Sequence, residues 1–146
     1  MQEPSSQEAS HPTILIVEDD PALSKMYATK FASEGFSVEV AHDGAVGLAK
    51  TAEVNPKIIL LDMMLPKYTG IEFMEQMQQH SNIKQIPIIC LTNLTQKPEA
   101  DRAKELGAKE YLAKAMHTPE EIVEVVRKYL APPPNVDTQQ AESQQG

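Results

Sequence analysis

A chain of 146 residues, 41% of them hydrophobic, has the length and apolar content for one domain with a single core. No apolar stretch approaches the roughly 18 residues of a membrane helix, and the N-terminus lacks the basic and apolar regions of a secretory signal, so a cytoplasmic protein with no membrane partner is expected. The net charge is −8, but the 17 acidic and 13 basic residues between Pro12 and Ala131 include no block of Lys or Arg to track a phosphate backbone, which argues against nucleic-acid binding by this chain alone.

Residues 1–11 are rich in Gln, Ser and Glu and predict a disordered tail, because they bury too little apolar surface to offset ordering entropy. A domain is expected over 12–131. Its first strand is Ile14 to Val17, an apolar run that stops at Glu18-Asp19-Asp20. Asp20 can cap a first helix with Pro21 at its first position, running through Leu23, Met26, Tyr27 and Phe31 to Gly35. Val38 to Ala41 has strand length, and Asp43 can cap a second helix that carries Leu48 and ends before Asn55-Pro56. Ile58 to Leu61 is a third strand, closed by Asp62. A third helix follows Gly70, with Ile71, Phe73, Met74 and Met77 as its apolar positions. Ile88 to Leu91 is a fourth strand, in which Cys90 reads as a small buried hydrophobe with no internal disulfide partner. A fourth helix starts near Lys97-Pro98 and ends at Gly107. A short strand around Glu110 to Ala113 precedes Thr118-Pro119-Glu120-Glu121, a capping box with proline in its first turn. It opens a helix whose Ile122, Val125, Val126 and Tyr129 share one face. Pro132-Pro133-Pro134 stops that helix, and 132–146 is expected to be a disordered tail or the start of a linker.

Strands one, three and four are almost wholly apolar, which implies burial on both faces and hence a parallel sheet. Five strands alternating with five helices predict an α/β, doubly wound domain with helices on both sides. Functional groups of such folds gather beyond the C-terminal strand ends. There the sequence places Glu18, Asp19, Asp20, Asp62, Thr92 and Lys114. Converging carboxylates need a cation or a proton to offset their repulsion, and hard oxygen donors suit Mg²⁺. A hydroxyl and an ammonium at the same rim are what a transferred phosphoryl group requires. Each residue also has a plainer reading. Asp20 is explained by capping, Glu18 and Asp19 gain from the helix dipole, Thr92 is a strand-end hydroxyl and Lys114 a solvated lysine. Asp62 is the exception, because a charge directly after Ile58-Ile59-Leu60-Leu61 has little packing purpose.

Five landmarks in order carry a resemblance to the receiver domains of two-component response regulators: Ile16-Val17-Glu18-Asp19-Asp20, Leu60-Leu61-Asp62-Met63-Met64-Leu65-Pro66, Gly70, Leu91-Thr92, and Gly107-Ala108-Lys109-Glu110-Tyr111-Leu112-Ala113-Lys114. The resemblance covers about residues 12–131. It implies the strand order 2-1-3-4-5, for which the family's chemotaxis member is a known example among flavodoxin-like sheets. It implies that Asp62 takes a phosphoryl group from a sensor histidine kinase or phosphotransfer protein. Mg²⁺ would be held by Asp19, Asp62 and the backbone carbonyl of Met64, with Glu18 reaching it through water. Thr92 and Lys114 would bind the phosphoryl oxygens, and Tyr111 would follow Thr92 as the aromatic switch. A downstream target would read the change at the fourth helix, fifth strand and fifth helix. The protein would be a phosphoacceptor that assists its own phosphorylation and dephosphorylation rather than an enzyme. It would act through binding, as a stand-alone regulator or as a fragment of a longer one with an output domain.

Two features depart from the family's usual pattern, and two more residues occupy positions that modulate hydrolysis in it. Asn93 follows Thr92 where a small residue is usual, which would narrow access to the phosphoryl group. Ala115 follows Lys114 where proline is usual, so either a trans bond with a shifted Lys114 loop or a strained cis bond is expected. Apolar Met64 and Leu94 would not position an attacking water, which predicts a long-lived phosphoryl group. Among rival readings, a haloacid dehalogenase-type phosphatase needs a second acid where Met64 stands, and a flavodoxin-like cofactor binder would be repelled by Glu18-Asp19-Asp20. A pseudo-receiver, an interaction module that is never phosphorylated, is kept open by Asn93 and Ala115.

Overall fold

Short segments bounded by polar residues become the strands of one sheet. In the computed structural model, which describes residues 11–130, they are β1 (Thr13–Val17), β2 (Ser37–Ala41), β3 (Ile58–Asp62), β4 (Ile88–Thr92) and β5 (Glu110–Ala113). The helices between them are α1 (Pro21–Ser33), α2 (Gly44–Val54), α3 (Gly70–Gln78), α4 (Lys97–Glu105) and α5 (Pro119–Leu130), with a 3₁₀ turn at Lys114–Met116. All pairings are parallel and the order is β2-β1-β3-β4-β5, as the resemblance implies. The two expected tails fall outside the described residues, apart from His11.

Strand alternation divides the core into two layers. Leu15, Val17, Ile59 and Leu61 face Phe73, Met74 and Met77 of α3. Ile14, Ile16, Ile58 and Leu60 face Tyr27 and Phe31 of α1 and Ile122, Val123 and Val126 of α5. Burial of each such side chain contributes roughly 1.5–3 kcal/mol, so both faces of β1 and β3 hold the sheet in register. The helix faces differ from expectation at two places. Met26 lies outward at 38% exposure, because Tyr27 and Phe31 already fill the α1 contact. On α5 Val123 is fully buried, while Val125 and Tyr129 pack at the margin.

Local chemistry fixes the helix starts. Asp20 Oδ1 accepts the N–H groups of Ala22 and Leu23 at 2.9 and 3.2 Å, and Asp43 Oδ1 accepts that of Val46 at 2.9 Å. The Thr118–Glu121 capping box closes in both directions, at 3.0 and 3.1 Å. A second box, Thr69–Glu72, starts α3. Its T-x-x-E spacing was legible in the sequence and was overlooked there because Gly70 drew the boundary.

Gly70 itself has a packing reason. A Cβ at this position would stand 2.8 Å from the Met63 Cα, a backbone atom one residue beyond Asp62. Gly70→Ala is therefore expected to lower the stability by about 2 kcal/mol through overpacking, measured by urea denaturation. Full stability in that variant would mean that the loop after β3 has room to spare.

Candidate functional site

The strand order reverses direction between β1 and β3, which opens a crevice at their C-terminal ends. Glu18 follows β1 directly, and its N–H is held by the Ala41 carbonyl at 3.0 Å. Asp62 is the last residue of β3, level with Leu91 of β4. Strand pairing therefore delivers both carboxylates to the crevice, where both are buried. Asp19 stands beside them, exposed. One carboxylate oxygen from each of Glu18, Asp19 and Asp62 lies within 4.8 Å of the others. Three hard oxygen donors that close, two of them buried, fit a small divalent cation. Asp20 is separate from them in role, its side chain being spent on the α1 cap.

Lys114 opens the 3₁₀ turn, and its bond to Ala115 is trans. Its Nζ nevertheless reaches the crevice, 2.9 Å from Glu18 Oε1 and 3.4 Å from Asp62 Oδ1, with the lysine side chain only 10% exposed. The reading of Lys114 as a solvated lysine is thus corrected. Asp62 Oδ1 also accepts the Met64 N–H at 3.1 Å, and Glu18 Oε2 accepts that of Asp20 at 3.2 Å.

Burial and the nearby Glu18 charge push the Asp62 carboxyl up to about 6, against the pull of the Met64 N–H and the Lys114 ammonium. For Lys114, burial acts downward. The hydrogen bond to Glu18 and the charge of Asp62 outweigh it and hold the ammonium above its ordinary value. The site is therefore short of positive charge, with one buried ammonium serving two buried carboxylates.

Thr92 ends β4, level with Ala113 of β5. It is buried, and its hydroxyl bonds the backbone of its own loop, donating to the Leu94 carbonyl at 2.9 Å and accepting the Leu94 N–H at 3.2 Å. Met64 and Leu94 are 58% and 63% exposed. Both line a cavity of ≈ 640 Å³ together with Asp19, Asn93 and Thr92. Asn93 is thus a wall of the space beside the carboxylates. Tyr111 on β5 is half-buried. Its hydroxyl accepts the Gln96 N–H at 3.2 Å and donates to Glu99, two contacts that sequence reading missed because they join segments 12 and 15 residues apart.

The fold recurs in known proteins. Residues 14–127 match the family model described as the response regulator receiver domain. The chain is similar to the DNA-binding dual master transcriptional regulator RpaA of Synechocystis sp., 34% identical over 119 residues, covering 82% of this chain and 49% of that protein. It is 36% identical over 117 residues to the DNA-binding response regulator MtrA of Mycolicibacterium smegmatis, covering 80% of this chain and 50% of that protein. The chain thus spans about half the length of the curated relatives it matches. Among solved structures, the Vibrio cholerae chemotaxis protein CheY4 superposes with a TM-score of 0.76 at 28% identity, covering 82% of this chain and 98% of that one.

Proposed function

Because this chain belongs to the response regulator receiver domain family, we propose that Asp62 is its phosphoacceptor and that the described domain signals by phosphorylation-dependent protein binding in the cytoplasm. The observation that carries this reading is the crevice itself, where a buried carboxylate at a strand end shares one lysine with a second buried carboxylate. An Asp62 oxygen attacks the phosphorus of a phosphohistidine on a sensor kinase or phosphotransfer protein. The P–N bond breaks, its electron pair leaves with the imidazole, and an acyl phosphate forms.

Glu18, Asp19, Asp62 and the Met64 backbone are the groups that would hold Mg²⁺, which supplies positive charge to the phosphoryl oxygens. Lys114, whose Nζ lies 3.4 Å from Asp62 Oδ1, would bind those oxygens as well. Thr92 donates its hydroxyl to one of them after releasing Leu94. Tyr111 follows, and the surface of α4, β5 and α5 presents the result to a target. That no helix among the described residues is long and apolar enough to cross a membrane is consistent with this reading. DNA binding is named for the relatives above, and the described domain, with no run of basic residues, is not inferred to contact nucleic acid itself.

The test is incubation with acetyl phosphate and Mg²⁺ followed by intact mass. One phosphoryl adduct on the wild type and none on Asp62→Asn is the expected result. A wild type without adduct would leave the pseudo-receiver reading. With Met64 and Leu94 unable to hold an attacking water, the adduct is expected to outlast removal of the donor by minutes rather than seconds. Loss within seconds would refute that part.

A further inference from the structure

Three helices of this domain carry Glu at their third position, and in two of them it closes a capping box directly. Glu72 accepts the N–H of Thr69 at 2.9 Å, and Glu121 that of Thr118 at 3.0 Å. In α4 the N-cap is Gln96, which makes no side-chain cap bond, and the third residue is Glu99. Here the bond between cap N–H and glutamate is not made directly. The hydroxyl of Tyr111, from β5, stands between them, accepting the Gln96 N–H at 3.2 Å and donating to Glu99 Oε1. A side chain from another element thus completes the cap that α4 lacks.

We propose that Glu99 is a positioning residue for Tyr111, and that the relay from the Gln96 N–H through the Tyr111 hydroxyl to the Glu99 carboxylate caps α4 and restrains the switch at Asp62. The restraint, though not the cap, rests on the functional reading above. Its route is short. Thr92 is bound through its hydroxyl to the backbone of Leu94, two residues before Gln96, so a Thr92 that turns toward a phosphoryl group must pull on the loop that the relay holds. Burial and then the Glu99 carboxylate raise the Tyr111 hydroxyl above its ordinary value, which keeps its proton available for donation. The negative charge of Glu99 in the first turn of α4 also complements the helix dipole.

The experiment compares wild type, Glu99→Ala, Glu99→Gln, Tyr111→Phe and the double variant Glu99→Ala/Tyr111→Phe. Amide hydrogen exchange at Gln96 is read without a phosphoryl donor, and the initial rate of adduct formation is read with acetyl phosphate and Mg²⁺. Loss of a charge-assisted hydrogen bond predicts exchange about tenfold faster in Glu99→Ala and in Tyr111→Phe. The double variant should add nothing to either, since one relay is broken once. Glu99→Gln keeps an acceptor oxygen without the charge and should fall between wild type and Glu99→Ala, since a neutral hydrogen bond is about half as strong. Adduct formation should be severalfold faster wherever exchange is faster.

Unchanged Gln96 exchange in Glu99→Ala would overturn the relay. Faster exchange with unchanged adduct formation would overturn the restraint. A wild type that forms no adduct would defeat the functional reading and the restraint with it, while the cap is judged on exchange alone. If Glu99→Ala does not fold, Tyr111→Phe removes the same hydroxyl link without changing the ring and decides the outcome by the same criteria.

Discussion

Asp62→Asn is expected to take up no phosphoryl group and yet to be more stable than the wild type at neutral pH in metal-free buffer. Asp62 is 3% exposed, and its carboxyl is raised to about 6 by burial and by Glu18. In the unfolded chain it ionises near the usual value of about 4. Between those two values the folded state holds the proton more tightly than the unfolded one. The stability that this proton contributes is therefore full below about pH 4, is lost as the pH rises to about 6, and does not return above it. A shift of that size corresponds to about 3 kcal/mol at neutral pH. Asparagine is not ionised at any of these values, and its side-chain oxygen still accepts the Met64 N–H. The variant's advantage should thus be small near pH 4, grow up to about pH 6 and stay constant beyond. Urea denaturation across that range, with a chelator present, measures it. A difference that does not change with pH, or an asparagine variant less stable than the wild type at neutral pH, would show that the buried carboxylate is stabilised better than its surroundings imply.

That tension between stability and function also explains which parts of the site were legible in the sequence. A carboxylate after four apolar residues has no packing role, so Asp62 is visible from its neighbours alone. Asp20, Asp43 and Thr118 declare themselves because capping depends on residues two or three positions away. Strand order is different in kind. No local pattern says that β1 sits between β2 and β3, and the order was available only through the resemblance. The burial of Lys114 was hidden for a related reason, since Ala115 and Met116 after it are exposed while its ammonium is held by groups 52 and 96 residues away. Ile83 and Ile86 join the core from the irregular segment after α3, where there is no period to announce them. Glu99 was passed over because its partner is a hydroxyl that arrives from β5.

Ala115 stands where the family usually has proline, in the turn that carries the lysine. With a trans bond to Ala115, Lys114 still reaches Glu18 and Asp62. Lys114 leaves the strand in a 3₁₀ turn and its four-carbon stem spans the remaining gap. Positioning thus falls more heavily on the ion pairs themselves than on the backbone.

Lys114→Ala should expose how much those pairs carry. Without the ammonium, Glu18 and Asp62 face one another as buried acids, and breaking a buried ionic group by removing one partner typically costs about 3–5 kcal/mol. Asp62 limits this loss, since a carboxyl already raised to about 6 rises further and takes up a proton in place of the missing cation. A destabilisation of about 3 kcal/mol at neutral pH is expected, shrinking as the pH falls and protons become available. Millimolar Mg²⁺ should restore part of it, because a cation that binds only the folded state stabilises by mass action and Glu18, Asp19 and Asp62 are within reach of one ion. It should not restore the chemistry. Lys114 neutralises phosphoryl oxygens in addition to the metal, and loss of one preorganised charge of this kind lowers a rate by roughly 10²–10³. Urea denaturation with and without Mg²⁺, set beside adduct formation from acetyl phosphate, separates the two roles. Equal recovery of both on adding Mg²⁺ would mean that Lys114 serves only to balance charge in the resting protein. Stability recovered without phosphoryl uptake would place it on the reacting group itself.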